Sequence, residues 1–213
     1  MVEPIHKAHE YIVSDEYKIV FLNIKKVASS SITKCMQSKL NTNIEFLWCK
    51  KYQDYFSFAF VRDPLDRLLS CYNNKIKAPN IKTSETNIGI IFDKYSASAN
   101  KLFYKGMSFK EFLRAIGSLD PNQYDPHFLP QYIWVCDNNK NIVVDFIGKF
   151  ESLKSDFDYV LVKNNLPILT LPHLNKTSFK EEAYDEETIE LAKQVYGVQE
   201  DMEIFNYSSL KTY

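Results

Sequence analysis

The sequence has little net charge, no long apolar run and few arginines. Its 26 lysines and arginines nearly balance 27 aspartates and glutamates, so no global field favours nucleic acid or an anionic membrane. No apolar run approaches the roughly 18 residues of a membrane span. The first residues, "MVEPIHKAHEYIVSDEYK", contain no apolar core of the kind a secretory signal requires, and the expectation is a cytoplasmic protein. Cys35, Cys49, Cys71 and Cys136 are widely spaced and form no CxxC pair. That favours reduced thiols over a disulfide framework or a zinc site.

Only Arg62, Arg67 and Arg114 are arginines, and two of the three lie in "FVRDPLDRLLS". An arginine offers a planar fork of donors suited to phosphate, which lysine cannot copy. Clustering of so rare a residue points weakly to a site.

The 213 residues suit one α/β domain with a full core. "YKIVFLNI" (17 to 24) reads as a buried strand, and "SSSITKCMQSKL" as a helix with serines capping its start. "NIEFLW" (43 to 48) and "YFSFAFV" (55 to 61) read as further strands. Pro64 suits the first turn of the helix that follows. Residues 78 to 100 are polar and irregular, a long insertion that is a candidate lid over an acceptor. In "SFKEFLRAIG", Ser108 and Glu111 have capping-box spacing and Gly117 marks the end. "NIVVDFIGKF" (141 to 150) reads as a strand. "SLKSDFDYVLVKNNL" and "DEETIELAKQVYG" read as amphipathic helices. Alternating strands and helices imply a single-domain, three-layer sandwich resembling the P-loop folds, with a central parallel sheet flanked by helices.

The first strand runs into "NIKKVASSSITKCM". In a parallel sheet, ligands gather at the carboxyl ends of strands. A loop of small residues there, entering a helix, turns backbone N–H groups toward an anion. Ala28, Ser29, Ser30 and Ser31 are small, and Lys26 stands at the loop entrance. The loop has no glycine, and its lysine leads, whereas GxxxxGK[ST] puts lysine near the end. An ordinary ATP or GTP site is therefore disfavoured. A capped helix start with no ligand explains the loop alone equally well. Arg62 ends the strand "YFSFAFV", and Ser70 follows eight residues later on the next helix. Arg62 can fork onto a phosphate that the serine hydroxyl joins. A structural ion pair between Arg62 and Asp63 is the competing explanation.

Together the two segments resemble the sulfotransferases that use 3′-phosphoadenosine 5′-phosphosulfate (PAPS). "KKVASSSI" is similar to their 5′-phosphosulfate loop and "FVRDPLDRLLSCYNNK" to their 3′-phosphate segment. The likeness is strongest to carbohydrate sulfotransferases of the chondroitin 4-O type, and more distant to the heparan sulfate 2-O type. "YDPHFLPQYIWVC", "VVDFIGKFESLKSDFDYVL" and "MEIFNYS" resemble later segments of that family. The family loop usually has proline before its lysine, where this chain has Lys25.

The resemblance implies PAPS as donor, 3′-phosphoadenosine 5′-phosphate (PAP) as product and no required metal. Lys26 would stabilise the leaving group, and Val27, Ala28, Ser29, Ser30 and Ser31 would hold the 5′-phosphate. Arg62 and Ser70 would hold the 3′-phosphate. "LPHLNKTSFK" resembles the late segment closing over the nucleotide, which makes Lys176, Thr177 and Ser178 further candidates, against a solvated polar loop. A hydroxyl acceptor needs a general base. His127, in the segment resembling the family's His-aromatic motif, is the first candidate, and Glu45 the second. Their competing readings are a structurally packed loop histidine and a solvent-facing residue of an edge strand. The implied acceptor is a carbohydrate or, alternatively, a small-molecule metabolite, with no nucleic-acid partner. A kinase-like nucleotide-binding protein and a non-catalytic scaffold are the readings from other classes.

Overall fold

The computed structural model describes residues 10–46, 48–77, 102–104, 106–172 and 185–207. In chain order the elements are β1 (Tyr11–Ser14), β2 (Ile19–Leu22), α1 (Ser29–Lys39), β3 (Asn43–Glu45), β4 (Phe56–Val61), α2 (Pro64–Tyr72), α3 (Phe109–Gly117), α4 (Tyr132–Val135), β5 (Phe146–Lys149), α5 (Leu153–Lys163), α6 (Glu186–Gln194) and α7 (Val198–Ile204). The chain forms two compact units. The first comprises Met1–Arg62 with Gln131–Lys176, and the second Asp63–Pro130 with Thr177–Tyr213.

The first unit is α/β, built on a five-stranded sheet in the order β3-β1-β2-β4-β5. Its β2, β4 and β5 run parallel, as the alternation of strands and helices predicts. The sheet as a whole is mixed, however. β1 pairs antiparallel with both β2 and β3. The parallel centre expected from the sequence is present, and the antiparallel pairing is confined to this edge, at β1. β1 reaches β2 through a tight turn in which Lys18 adopts φ 51°, a length no helical crossover could span.

The apolar run predicted as a buried strand is buried, with Ile19, Val20 and Phe21 fully enclosed. Ile12 and Val13 of β1, a strand the sequence reading did not include, are equally enclosed. β4 alternates, with Phe56, Phe58 and Phe60 on one face and Ser57, Ala59 and Val61 on the other. Phe58 stacks on Phe21 of β2 at 5.2 Å, and Phe60 meets Phe157 of α5 at 6.4 Å. Gly148 of β5 lies opposite Phe60, and a Cβ there would come within 2.4 Å of the Phe60 ring. On the other face Asp145 Oδ2 accepts from the Ser57 backbone N–H at 2.8 Å and its hydroxyl at 2.7 Å. This pins β5 in register as it joins β4.

The second unit is helical. Asp63 caps α2, accepting from the N–H groups of Leu65 and Asp66 at 3.0 and 3.2 Å. A π-helical turn, Asn73–Lys77, continues that helix. The capping box predicted for α3 is present, with Ser108 and Glu111 bonded reciprocally. Tyr72, Phe109, Phe112, Phe103 and Phe128 form a connected aromatic core. Lys110 and Arg114 of α3 bridge to Asp185 and Glu187 at the start of α6, at 2.6 to 2.7 Å. Among the described residues no helix is long and apolar enough to cross a membrane.

Candidate functional site

β2 and β4 are parallel neighbours, and the strands that follow each of them lie on opposite sides of the pair. From β2 the chain passes through α1 to β3 on one edge, and β5, on the other edge, lies beyond β4. The carboxyl ends of such a pair form the crevice in which open α/β sheets hold ligands. Both segments singled out in the sequence emerge there. Residues 23–28 follow β2 directly, and Arg62 follows β4 directly.

The loop after β2 is anchored at its ends. Asn23 N–H donates to the Glu10 carbonyl at 2.9 Å, and the Val27 side chain is fully buried. Lys25 forms an ion pair with Glu10, which ties the loop to the residue just before β1. Lys26 and Ala28 adopt φ 71° and 64°. Glycine reaches this region freely, whereas an L-residue pays about 1 to 2 kcal/mol. Residues of this conformation alternating with others turn successive N–H groups into a concavity suited to an anion. Among the described residues, the N–H groups of Val27, Ala28, Ser29 and Ser30 meet no acceptor.

The serines do not cap the helix as predicted. Ala28 occupies the N-cap position, without a side-chain cap bond. Ser29 and Ser31 are buried and Ser30 is exposed. The helix is held instead by its buried stripe, Ile32, Cys35 and Met36, which leaves its first turn open.

Arg62 is held at both ends. The Gln131 side chain accepts from Arg62 N–H at 2.9 Å and donates to the Arg62 carbonyl at 2.8 Å. Its guanidinium lies over the Phe150 ring, 4.4 Å from the centroid. Arg62 Nε is buried and meets no acceptor among the described residues. A buried donor left this way costs about 1 to 3 kcal/mol, which an anionic ligand would recover. The turn carrying Phe150 is itself fixed, since Asp156 of α5 accepts from Lys149 N–H at 2.7 Å and from the Ser152 hydroxyl at 2.6 Å.

Glu45 lies on β3, the outer strand of the sheet. Register places it level with Leu22, the last residue of β2, with Tyr11 between them. It is thus at the ligand end but two strand spacings, about 10 Å, to the side. The Tyr52 phenol, pushed up by burial, is raised further by this neighbouring carboxylate. Trp48 packs edge-on against Tyr11 and Tyr52, and Trp134 is buried, so both tryptophans serve the core.

In the second unit, Ser70 sits in the body of α2 and is buried. His127 lies in a turn braced from three sides. Phe128 enters the aromatic core, 5.2 Å from Tyr124. Arg67, only 3 % exposed, donates to the carbonyls of Leu129 at 2.8 Å and Pro126 at 3.3 Å. Asp125 Oδ1 accepts from the His127 backbone N–H at 2.8 Å and lies 2.5 Å from Nδ1. A carboxylate can only accept, so Nδ1 carries the proton and the neutral ring has Nε2 as its lone-pair nitrogen. Arg67, which the sequence grouped with Arg62, is therefore a buried structural arginine.

Sequence reasoning missed Gln131, Phe150 and Asp125. A glutamine between "FLP" and "YIWV" is a polar residue in an apolar run, which signals a buried hydrogen-bonding task. An aspartate two residues before a candidate histidine is a readable turn signal. Lys176, Thr177, Ser178 and residues 78 to 100 lie outside the described residues. Among the described residues no cluster of His, Cys, Asp and Glu could hold a metal ion.

The profile of the group described as "Sulfotransferase family" matches residues 9–208. The chain is 32 % identical over 173 residues to carbohydrate sulfotransferase 14 of Mus musculus, covering 70 % of this chain and 45 % of that protein. It is 27 % identical over 179 residues to carbohydrate sulfotransferase 14 of Danio rerio, covering 73 % and 48 %. It is 30 % identical over 145 residues to carbohydrate sulfotransferase 9 of Homo sapiens, covering 65 % and 29 %. The chain thus spans less than half the length of these relatives. No solved structure matches it.

Proposed function

From its membership of the sulfotransferase family, to which the chain belongs, we propose that this protein moves a sulfuryl group from PAPS to a hydroxyl of a carbohydrate. The observation that carries the donor assignment is the pairing, on adjacent parallel strands, of an open N–H loop with an arginine whose buried Nε wants an acceptor. One anion site suits a 5′-phosphosulfate. A second, arginine-lined site suits the 3′-phosphate that separates PAPS from ATP. The carbohydrate acceptor rests on the names of the similar proteins.

PAPS, when bound, supplies an activated sulfuryl group and a bisphosphate leaving group. The chain's residues must bind, align and neutralise charge, as in phosphoryl transfer. The N–H groups of Val27 to Ser30 donate to the 5′-phosphate without reorganising, because the loop is already held in its strained form. The hydroxyls of Ser29, Ser30 and Ser31 are candidate additional donors. Lys26 offsets negative charge growing on the leaving oxygen. Arg62 binds the 3′-phosphate, with Ser70 as its proposed hydroxyl partner. Lys176, Thr177 and Ser178 remain proposed nucleotide contacts.

His127 is the proposed base, taking the acceptor's proton at Nε2. Asp125 holds Nδ1–H and stabilises the imidazolium that forms. Glu45 is the alternative base, less favoured because it stands to the side of the loop beside Tyr52.

The test is a titration of wild type and Arg62→Ala with PAP and with 5′-AMP, alongside a transfer assay from PAPS to polysaccharide and small hydroxyl acceptors. Wild type should prefer PAP, and Arg62→Ala should lose about 10- to 100-fold in PAP affinity with 5′-AMP little affected. Tighter binding of ATP with magnesium than of PAP would overturn the donor assignment. Transfer only to small hydroxyl compounds would overturn the carbohydrate acceptor.

A further inference from the structure

Arg62 stands one residue beyond β4, where Val61 makes the last pairing with β5 at Lys149. A residue beyond the ladder ordinarily has its backbone groups in water and its side chain in several rotamers. Here the carboxamide of Gln131 takes both backbone groups, accepting at 2.9 Å and donating at 2.8 Å. It does for Arg62 what the peptide of a neighbouring strand would do. Gln131 is fully buried, so these bonds lie where water does not compete. They fix the Arg62 peptide planes and hence the direction of its Cα–Cβ bond. Phe150, the residue after β5, then packs its ring against the guanidinium, with the centroid 4.4 Å from Cζ.

A guanidinium presents five N–H donors in a fixed planar fork suited to phosphate. The buried Nε, which has no acceptor among the described residues, is one of those donors. An arginine held at the backbone and packed against a ring has surrendered rotamer freedom before any ligand arrives. Ordering such a side chain on binding ordinarily costs about 0.5 to 1.5 kcal/mol.

We propose that Gln131 and Phe150 are positioning residues that set selectivity for the 3′-phosphate by holding Arg62 in its binding pose. The proposal rests on the PAPS reading. A structural role alone would make Gln131 a satisfier of buried backbone groups, affecting all ligands alike. A positioning role affects only the ligand that carries a 3′-phosphate.

The experiment measures the ratio of PAP to 5′-AMP affinity by calorimetry in wild type, Gln131→Leu and Phe150→Leu, each also in an Arg62→Ala background. The ratio should fall about tenfold in Gln131→Leu and about threefold in Phe150→Leu, with 5′-AMP affinity unchanged. In the Arg62→Ala background neither substitution should change the ratio further, because the group they position is gone. Equal losses for PAP and 5′-AMP, an unchanged ratio, or a fall that persists without Arg62 would overturn the proposal. If Gln131→Leu does not fold, Phe150→Leu, which leaves the backbone bonds intact, decides by the same criteria. If wild type itself shows no preference for PAP, the donor reading fails and the proposal with it. If wild type prefers PAP and the variants keep that preference, only the positioning role fails.

Discussion

Replacing Arg67 by methionine isolates what braces the His127 turn. Methionine keeps most of the aliphatic stem, so packing changes little. The guanidinium is lost, and with it the 2.8 Å bond to the Leu129 carbonyl and the 3.3 Å bond to that of Pro126. Leu129 is buried, so its carbonyl cannot turn to water, and an acceptor stranded in this way costs about 1 to 3 kcal/mol. Pro126 is half-buried and its bond is long, so its loss adds little. Removing a buried charge returns some desolvation energy, and the net expectation is about 2 kcal/mol of local destabilisation. The amides of Phe128 and Leu129 report on this turn, since both donate to the Asp125 carbonyl, at 3.0 and 2.9 Å. Hydrogen exchange at these amides should accelerate about 30-fold, the equivalent of 2 kcal/mol. Exchange in β2 and β4 should stay unchanged. Acceleration below about threefold at Phe128 and Leu129 would refute the brace, because the stranded carbonyl would then have cost almost nothing.

Two further outcomes follow from local geometry. Ala28→Gly removes the strain of φ 64°, worth about 1 to 2 kcal/mol, and loses about 0.4 to 1 kcal/mol to the freer unfolded chain. Denaturant titration should show a gain of about 0.5 to 1 kcal/mol, whereas glycine in ordinary helical backbone costs about 1 kcal/mol; a loss of that size would show that the loop does not hold this conformation in solution. Glu111 is held down to about 2, first by the Tyr104 hydroxyl and then by the Ser108 backbone and side chain. Its lowered value means the capping box contributes stability above pH 4.5, which is lost as the pH falls toward 2. The Glu111 carboxyl resonance should therefore titrate near 2, and a midpoint near 4.5 would refute the bonding pattern.

Short-range chemistry made several elements legible. "RDP" ends β4 and starts α2 because proline fits the first turn and aspartate caps it, both local effects. Ser108 and Glu111 announced α3 through a spacing that geometry alone dictates. The antiparallel edge was not legible. β1 is four residues long, and what makes it a strand is its pairing with β2 and β3, not its own periodicity. The serine caps were misread because capping propensity describes isolated helix starts. Here Ala28 takes the cap position while the buried stripe and the anchored Val27 place the loop.

By itself the sequence determined where the chemistry could lie. A lysine-first loop of small residues after one strand, and a rare arginine after another, are matters of order and residue type. Tertiary structure decided how those residues are held. Gln131 is 69 positions from Arg62 along the chain, and Phe150 is further still. Backbone strain at Lys26 and Ala28 depends on what surrounds the loop. Such contacts are set by the packing of distant segments, whose partners no local pattern names.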